Sequence, residues 1–194
     1  MDVNIFLFDD FETLDAFGPI EVLGRVADYK LRYISWQGGI IKSRQGTAIL
    51  TEKYNDVDKK GILVVPGGQG TRPLVQNSTF VKMLAEFAAA SSWCLTICTG
   101  SALLAKTGLL DGLQATSNKK AFAWVVSTTP QVAWQKSARW CVAEKYYTSS
   151  GVSAGIDMAL GFVADRYGRA KAQEIAVNIE YQWHEAKEKD FFAV

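Results

Sequence analysis

The sequence predicts a three-layer α/β domain with a mostly parallel central sheet, helices on both faces and one inserted β-hairpin. Three observations predict it. Short continuous apolar runs, "VNIFLF", "GILVV" and "WCLTI", have the look of strands covered on both faces. Helical patterns separate them, the order expected of strand–helix–strand units. One segment, "GIIKSRQGTAILTE", alternates instead around Gln45-Gly46, as a hairpin does.

The elements follow in order. Val3–Phe8 is the first strand. Leu14, Phe17, Val22, Leu23 and Val26 then give a helical face, with Pro19 expected near the helix start. "LRYISW" is the next strand, and the hairpin follows over Gly39–Glu52. "GILVVPGGQG" is a buried strand ending in a glycine-rich loop. A helical pattern covers Arg72 to Ala90, "WCLTI" is another central strand, and Thr99–Gly108 is a helix closed by glycine. "QATS" is short, Lys119–Ser127 is helical, and "QVAWQ" and "ARWCVAEKYYTSS" alternate as strands. Two long helical patterns, "AGIDMALGFVADRYG" and "RAKAQEIAVNIEYQWHEAKEK", complete the chain.

Totals narrow the function. The length of 194 residues suits one domain with a substantial core, taken as residues 1–194. The net charge of +1 comes without a basic cluster, Lys119-Lys120 being only a pair. Neither nucleic acid nor a membrane surface is therefore expected as a partner. The N-terminus has no basic stretch, no long apolar core and no cleavage site, so no secretory leader is expected. Three cysteines, an odd number, suggest free thiols in a reducing, cytoplasmic setting. A single histidine, His184, makes histidine-rich metal sites and most histidine triads poor expectations.

Ligands of open parallel sheets bind beyond the carboxyl ends of the strands. Cys98 stands there, at a junction where a strand turns into a helix. Strained backbone would raise its side chain above the sheet, and Gly100 and Ser101 are small enough to keep the turn tight. The adjoining helix N-terminus favours thiolate, so its pKa is expected below the free value of ~8.5. Cys94 and Cys141 are expected to be buried and inert. In the "PGGQG" loop Gly67 and Gly68 leave backbone N–H groups for a pocket, and the N–H of Gly68 and of Thr99 are a candidate oxyanion hole. The loop lacks the lysine and serine/threonine of a phosphate-binding loop. Asp15 is a candidate acid whose pKa a neighbouring thiolate would raise; the competing reading makes it a helix cap. Glu12 is a competing, more solvated acid. Arg72 is either a carboxylate-orienting residue or a solvated loop residue. Asp157 reads as a cap or first-turn acid, and the tryptophans as core, pocket wall or interface.

The segments "TLDAFGPIEVL", "VVPGGQGTRPL", "TICTGSALLAKTGLLDGLQAT" and "TSSGVSAGIDMALGF", in this order, resemble the ThiJ/PfpI superfamily, and within it the isocyanide hydratase branch. The superfamily includes the human parkinsonism-associated deglycase. The resemblance implies a flavodoxin-like sandwich, a nucleophile-elbow cysteine at Cys98, an acid at Asp15, an oxyanion pocket at Gly68 and Thr99, no metal or organic cofactor, and a homodimer; Gly67 and Asn118 are expected at the same pocket. The chain departs from that pattern after its "ATS" segment, where Asn118 and Lys119 replace a histidine and a tryptophan. Cysteine–histidine chemistry is thereby removed. Some relatives fuse this domain to a helix-turn-helix, for which this chain is too short. The expected function is a cysteine-dependent hydro-lyase or hydrolase on a small electrophile, isocyanide hydratase-like. The alternatives are a glyoxalase- or deglycase-like enzyme, a redox sensor using the same thiol, and a binding module.

Overall fold

The computed structural model describes residues 1–193 of the chain. Eight strands form one sheet in the order β3-β4-β2-β1-β5-β6-β10-β9. They are β1 (Asp2–Phe6), β2 (Lys30–Ser35), β3 (Gly39–Lys42), β4 (Ala48–Lys53), β5 (Ile62–Val65), β6 (Trp93–Ile97), β9 (Trp140–Ala143) and β10 (Tyr146–Ser149). Pairing is parallel throughout the middle and antiparallel only at the two ends, in the β3–β4 hairpin and in β9–β10. A small second sheet pairs β7 (Gln114–Ala115) with β8 (Ala133–Trp134). The flavodoxin-like sandwich is thus present, hairpin included.

The apolar runs explain the middle of the sheet. Every residue of β5 is buried, and so are the last four of β1 and of β6. Helices cover both faces. One group is α1 (Thr13–Leu23), α6 (Ala154–Tyr167) and α7 (Arg169–Asn178); the other is α2 (Thr71–Leu74), α3 (Ser78–Ala90), α4 (Gly100–Lys106) and α5 (Phe122–Thr128). The carboxyl ends of β1, β5, β6 and β10 open on one edge, where the loops to α1, α2, α4 and α6 meet.

Three expectations need correction. Pro19 lies well inside α1 rather than at its start, and packs its ring beside Gly155 of α6. The helix expected over Arg72 to Ala90 is two helices, because the Asn77 side chain accepts from the Phe80 N–H and starts α3 afresh. The last helix stops at Asn178 instead of running to Lys189. There the chain is captured by a buried charge. Asp157, 0% exposed in the first turn of α6, takes the His184 N–H at 2.9 Å on Oδ1 and the Arg139 Nε at 2.6 Å on Oδ2. The Trp183 indole donates to the Asp157 carbonyl, and Asp190 stands 3.7 Å from Arg139. Asp157 is therefore structural, as expected, but as the anchor of a buried ion network rather than as a cap.

Arg139 serves two buried carboxylates, so its removal strands both. Arg139→Met is expected to lower the unfolding free energy by about 3–5 kcal/mol in urea titrations. Glu21→Ala, which breaks the exposed Arg25 pair, is expected to change it by less than about 1 kcal/mol. Equal losses in the two variants would refute the role given to the network.

Candidate functional site

Cys98 follows the last residue of β6 and has φ +55°, left-handed backbone that a side chain adopts at a cost of about 1–3 kcal/mol. Neighbours hold it there. Its N–H donates to Ser149 O at 3.1 Å, and its carbonyl accepts the Ser101 and Ser117 hydroxyls at 2.9 Å each. Gly100 lets α4 approach β5: a Cβ there would collide with the Val65 and Pro66 carbonyls. The tight elbow expected from Gly100 and Ser101 is present, although it turns on backbone packing and on a serine hydrogen bond as much as on small size.

Asp15 is fully buried, in the first turn of α1. It does not cap the helix: Glu12 is the N-cap residue, its own side chain makes no capping bond, and the Thr13 N–H donates to Gln45 Oε1 at 3.1 Å. Instead Asp15 Oδ2 accepts the Gly67 N–H at 3.0 Å. Among the described residues Oδ1 has no hydrogen-bond partner, and the Cys98 thiol is close enough for the two groups to shift one another's titration. Burial pushes the Asp15 carboxyl up to about 8. The same burial, and Asp15 beside it, push the Cys98 thiol up as well. The depressed cysteine pKa expected from the helix N-terminus is therefore corrected. Cys98 is only 6% exposed, α4 is only seven residues long, and loss of water outweighs the Thr99 N–H and the Asn118 amide, which both favour thiolate. The two groups titrate as one unit.

The glycine loop divides its work. Gly67 holds the acid, and a Cβ on it would stand 2.5 Å from Thr99 N. Gly68, at φ +126°, comes so close to the Asp10 carbonyl and the Glu12 N–H that only glycine fits. Its own N–H donates to Thr99 Oγ1 at 3.0 Å. The Thr99 N–H faces the Cys98 sulfur. The two amides expected to make an oxyanion hole thus lie in neighbouring loops, but that of Gly68 is engaged by Thr99 in the resting protein.

Asn118 joins the site. Its Oδ1 accepts the Ala121 N–H at 3.0 Å, which turns its amide toward Cys98. Lys119 does not reach the cavity. Its ammonium is tied to Thr116 Oγ1 at 2.8 Å and Ala138 O at 2.6 Å, and burial lowers it to about 8. His184 is exposed in the tail, stacked edge-on against Phe191. Cys94 and Cys141 are buried, with thiols pushed up to about 12 and about 11.

Cys98, Thr99, Gly68 and Asn118 line a cavity of about 380 Å³ together with Glu12, Arg44, Gln69, Arg72, Lys120, Ala121 and Val152. Sequence reasoning missed Arg44, Lys120 and Gly151. A Cβ on Gly151 would strike the Asn118 amide and come within 2.9 Å of Cys98 Sγ. The signal was there, since "SSG" ends a strand at the same sheet edge as the other site segments. Among the described residues no group of three or more histidine, cysteine or acidic side chains could hold a metal ion. None of their helices is long and apolar enough to cross a membrane.

Comparison with known proteins fixes the family. Residues 1–165 match the DJ-1/PfpI family, and the chain belongs to it. It is 27% identical over 183 residues to an isonitrile hydratase of Pseudomonas putida, covering 93% of this chain and 78% of that one. It is 25% identical over 190 residues to the HTH-type transcriptional regulator GbdR of Pseudomonas aeruginosa, covering 93% of this chain but 50% of the regulator. Among solved structures, a ThiJ/PfpI family protein from Pseudomonas syringae superposes with a TM-score of 0.81 at 24% identity, over 94% of this chain and 76% of that one. DJ-1beta of Drosophila melanogaster superposes with 0.80 at 21% identity, over 94% and 98%. These two carry the fold alone.

The pair makes a prediction with a definite sign. Alkylation of Cys98 by iodoacetamide, followed by peptide mass, is expected to keep rising above pH 8.5. In Asp15→Asn, where the neighbouring charge is gone, the midpoint is expected to move down. A wild-type midpoint well below 7, or one that Asp15→Asn leaves in place, would overturn the account of the pair.

Proposed function

We propose that this member of the DJ-1/PfpI family is a cysteine-dependent hydratase of small electrophiles, converting an isocyanide to an N-substituted formamide. One observation carries the reading. The Cys98 sulfur lies at a solvent-reachable cavity beside a single buried carboxyl, Asp15, whose titration is coupled to the thiol's, and the chain's one histidine, His184, stands apart in the tail. The isonitrile hydratase relative supports it, and the regulators in the same family mark the non-catalytic alternative.

Hydration needs one proton in and one out, which a single acid can supply. The reactive pair holds one proton between its members. Cys98 Sγ bonds to the terminal carbon of the isocyanide while Asp15 delivers its proton to that carbon, leaving a thioimidate on sulfur. Asp15 carboxylate then takes a proton from water as the hydroxyl adds to the same carbon, and passes that proton to nitrogen. The C–S bond breaks as the C=O forms. The hydroxyl proton returns to Asp15 and the thiolate is regenerated. The Thr99 and Asn118 N–H groups, already on the sulfur, stabilise it as nucleophile and as leaving group. Gly68 N–H becomes an oxyanion donor once Thr99 Oγ1 releases it. Asn118 and Lys119, where relatives have histidine and tryptophan, leave no general base for peptide hydrolysis. The protein acts as a cytoplasmic homodimer of one domain, without metal or cofactor.

The pH dependence follows from Asp15 at about 8. Below it the pair carries two protons and no thiolate; above it, one. The kcat/KM for an aryl isocyanide, read as formamide released, is expected to rise as pH climbs through about 8. Cys98→Ser and Asp15→Asn are each expected to lower it at least 100-fold. Turnover unaffected in Cys98→Ser would sink the proposal. Wild type with no turnover at any pH from 6 to 9.5 would sink it as well.

A further inference from the structure

The cavity wall holds more positive charge than the chemistry above requires. Arg44, Arg72 and Lys120 line it against one acid, Glu12. Glu12 is partly occupied, its Oε1 accepting the Gln45 amide at 2.7 Å. Arg44 is partly neutralised by Asp10 at 3.8 Å and is 60% exposed. Arg72 and Lys120 differ. Among the described residues neither has a carboxylate within 4.0 Å, and neither side chain donates a hydrogen bond within the protein.

Arg72 is also held in place. Its guanidinium carbon lies 3.4 Å from the ring centroid of Trp124, a stacking contact with α5. Stacking occupies the guanidinium face and leaves its edge of N–H groups for a ligand. A planar edge of that kind matches the two oxygens of a carboxylate. The side chain is partly buried, and it is close enough to Cys98 for the two charges to interact. A cleft of one sign with low-dielectric walls concentrates ions of the other sign by 10-fold to 1,000-fold.

We infer that Arg72, backed by Lys120, is a carboxylate subsite, and that the substrate is a small isocyanide carrying a carboxylate a few bonds from the reacting carbon. This rests on Cys98 being the reacting group, as proposed above. The cavity of about 380 Å³ suits a molecule of that size. Arg72 is a binding residue in this reading, and Trp124 is the positioning residue that sets its plane.

Two measurements test it. The first compares isocyanoacetate with its methyl ester, which differ little in size and by one charge. The acid is expected to have the higher kcat/KM by at least tenfold, mostly through KM, and Arg72→Gln is expected to remove most of that preference. Equal kcat/KM for acid and ester in wild type would overturn the inference. The second does not depend on turnover. Cys98 is alkylated with iodoacetate and with iodoacetamide, Sγ displacing iodide in each case, and the ratio of rates is compared with that of a free thiol in the same buffer. A cationic subsite raises the ratio, Arg72→Gln and Lys120→Gln each lower it, and 0.5 M salt lowers it in wild type. A ratio no higher than the free thiol's, or one untouched by either substitution, would overturn the subsite. If the ratio is raised while neither isocyanide turns over, the subsite stands and the hydratase reading falls.

Discussion

The left-handed backbone at Cys98 is the constraint on which the rest of the site depends. A residue at φ +55° cannot continue a strand and does not begin a helix. It forces the chain to turn within one residue, lifts the sulfur out of the sheet, and delivers the next N–H groups to the same space. That turn survives because several elements insist on it at once. β10 takes its N–H, two serine hydroxyls take its carbonyl, and Gly100 permits α4 to close against the β5 end. Strain of about 1–3 kcal/mol persists only where surroundings over-determine it. Here the sheet itself is the clamp, since β6 lies between two parallel neighbours.

With the sulfur so placed, a buried carboxyl beside it changes character. An acid with no water and one backbone donor is poorly served as an anion, and Asp15 keeps its proton to about 8. The arrangement is costly to the fold, because an unfolded Asp15 ionises freely at neutral pH. The fold tolerates it while Gly67 is close enough to donate. The same closeness explains why Gly67 has no side chain: a Cβ would stand 2.5 Å from Thr99 N and 2.9 Å from Asp15 Oδ2. Glycine, acid and elbow are one packing solution spread over three strand ends.

Much of this was legible in the sequence, for reasons that are local. A buried strand running into Cys-Thr-Gly-Ser and then a helical pattern reads as a strand-to-helix junction, so Cys98 could be located before any coordinates. The hairpin declared itself through alternation about Gln45-Gly46, and Gly46 has φ +89°. What stayed hidden is what needs two distant segments. The upward shift of Asp15 was legible from a neighbouring thiolate, but not that burial is its main cause or that Gly67, 52 residues away, is its donor. The end of the last helix follows from Asp157, which takes an N–H that a helix would have used internally. The thiol's pKa was read in the wrong direction because a helix N-terminus is visible in sequence, whereas the loss of water around a sulfur is not. Gly151 went unread because its role is defined only by the Asn118 amide that packs against it.

No imidazole stands near Cys98, and the residues that do stand there give that meaning. The Asn118 amide stands beside the sulfur and favours thiolate but exchanges no proton, and Lys119 is bound to Thr116 and Ala138. The proposed chemistry therefore rests on one buried carboxyl, Asp15, since Glu12 stands farther out on the cavity wall with Gln45 on its Oε1. A hydrolysis that expels an amine needs an acid for the leaving group and a base for water, roles that a mobile imidazole alternates between. Addition of water across a triply bonded carbon has no leaving group other than the enzyme's own sulfur. One carboxyl that gives a proton to carbon and recovers it from water closes that cycle without help. A thiol beside one buried carboxyl thus suits the proposed addition by proton count, whatever substituent the wall residues select.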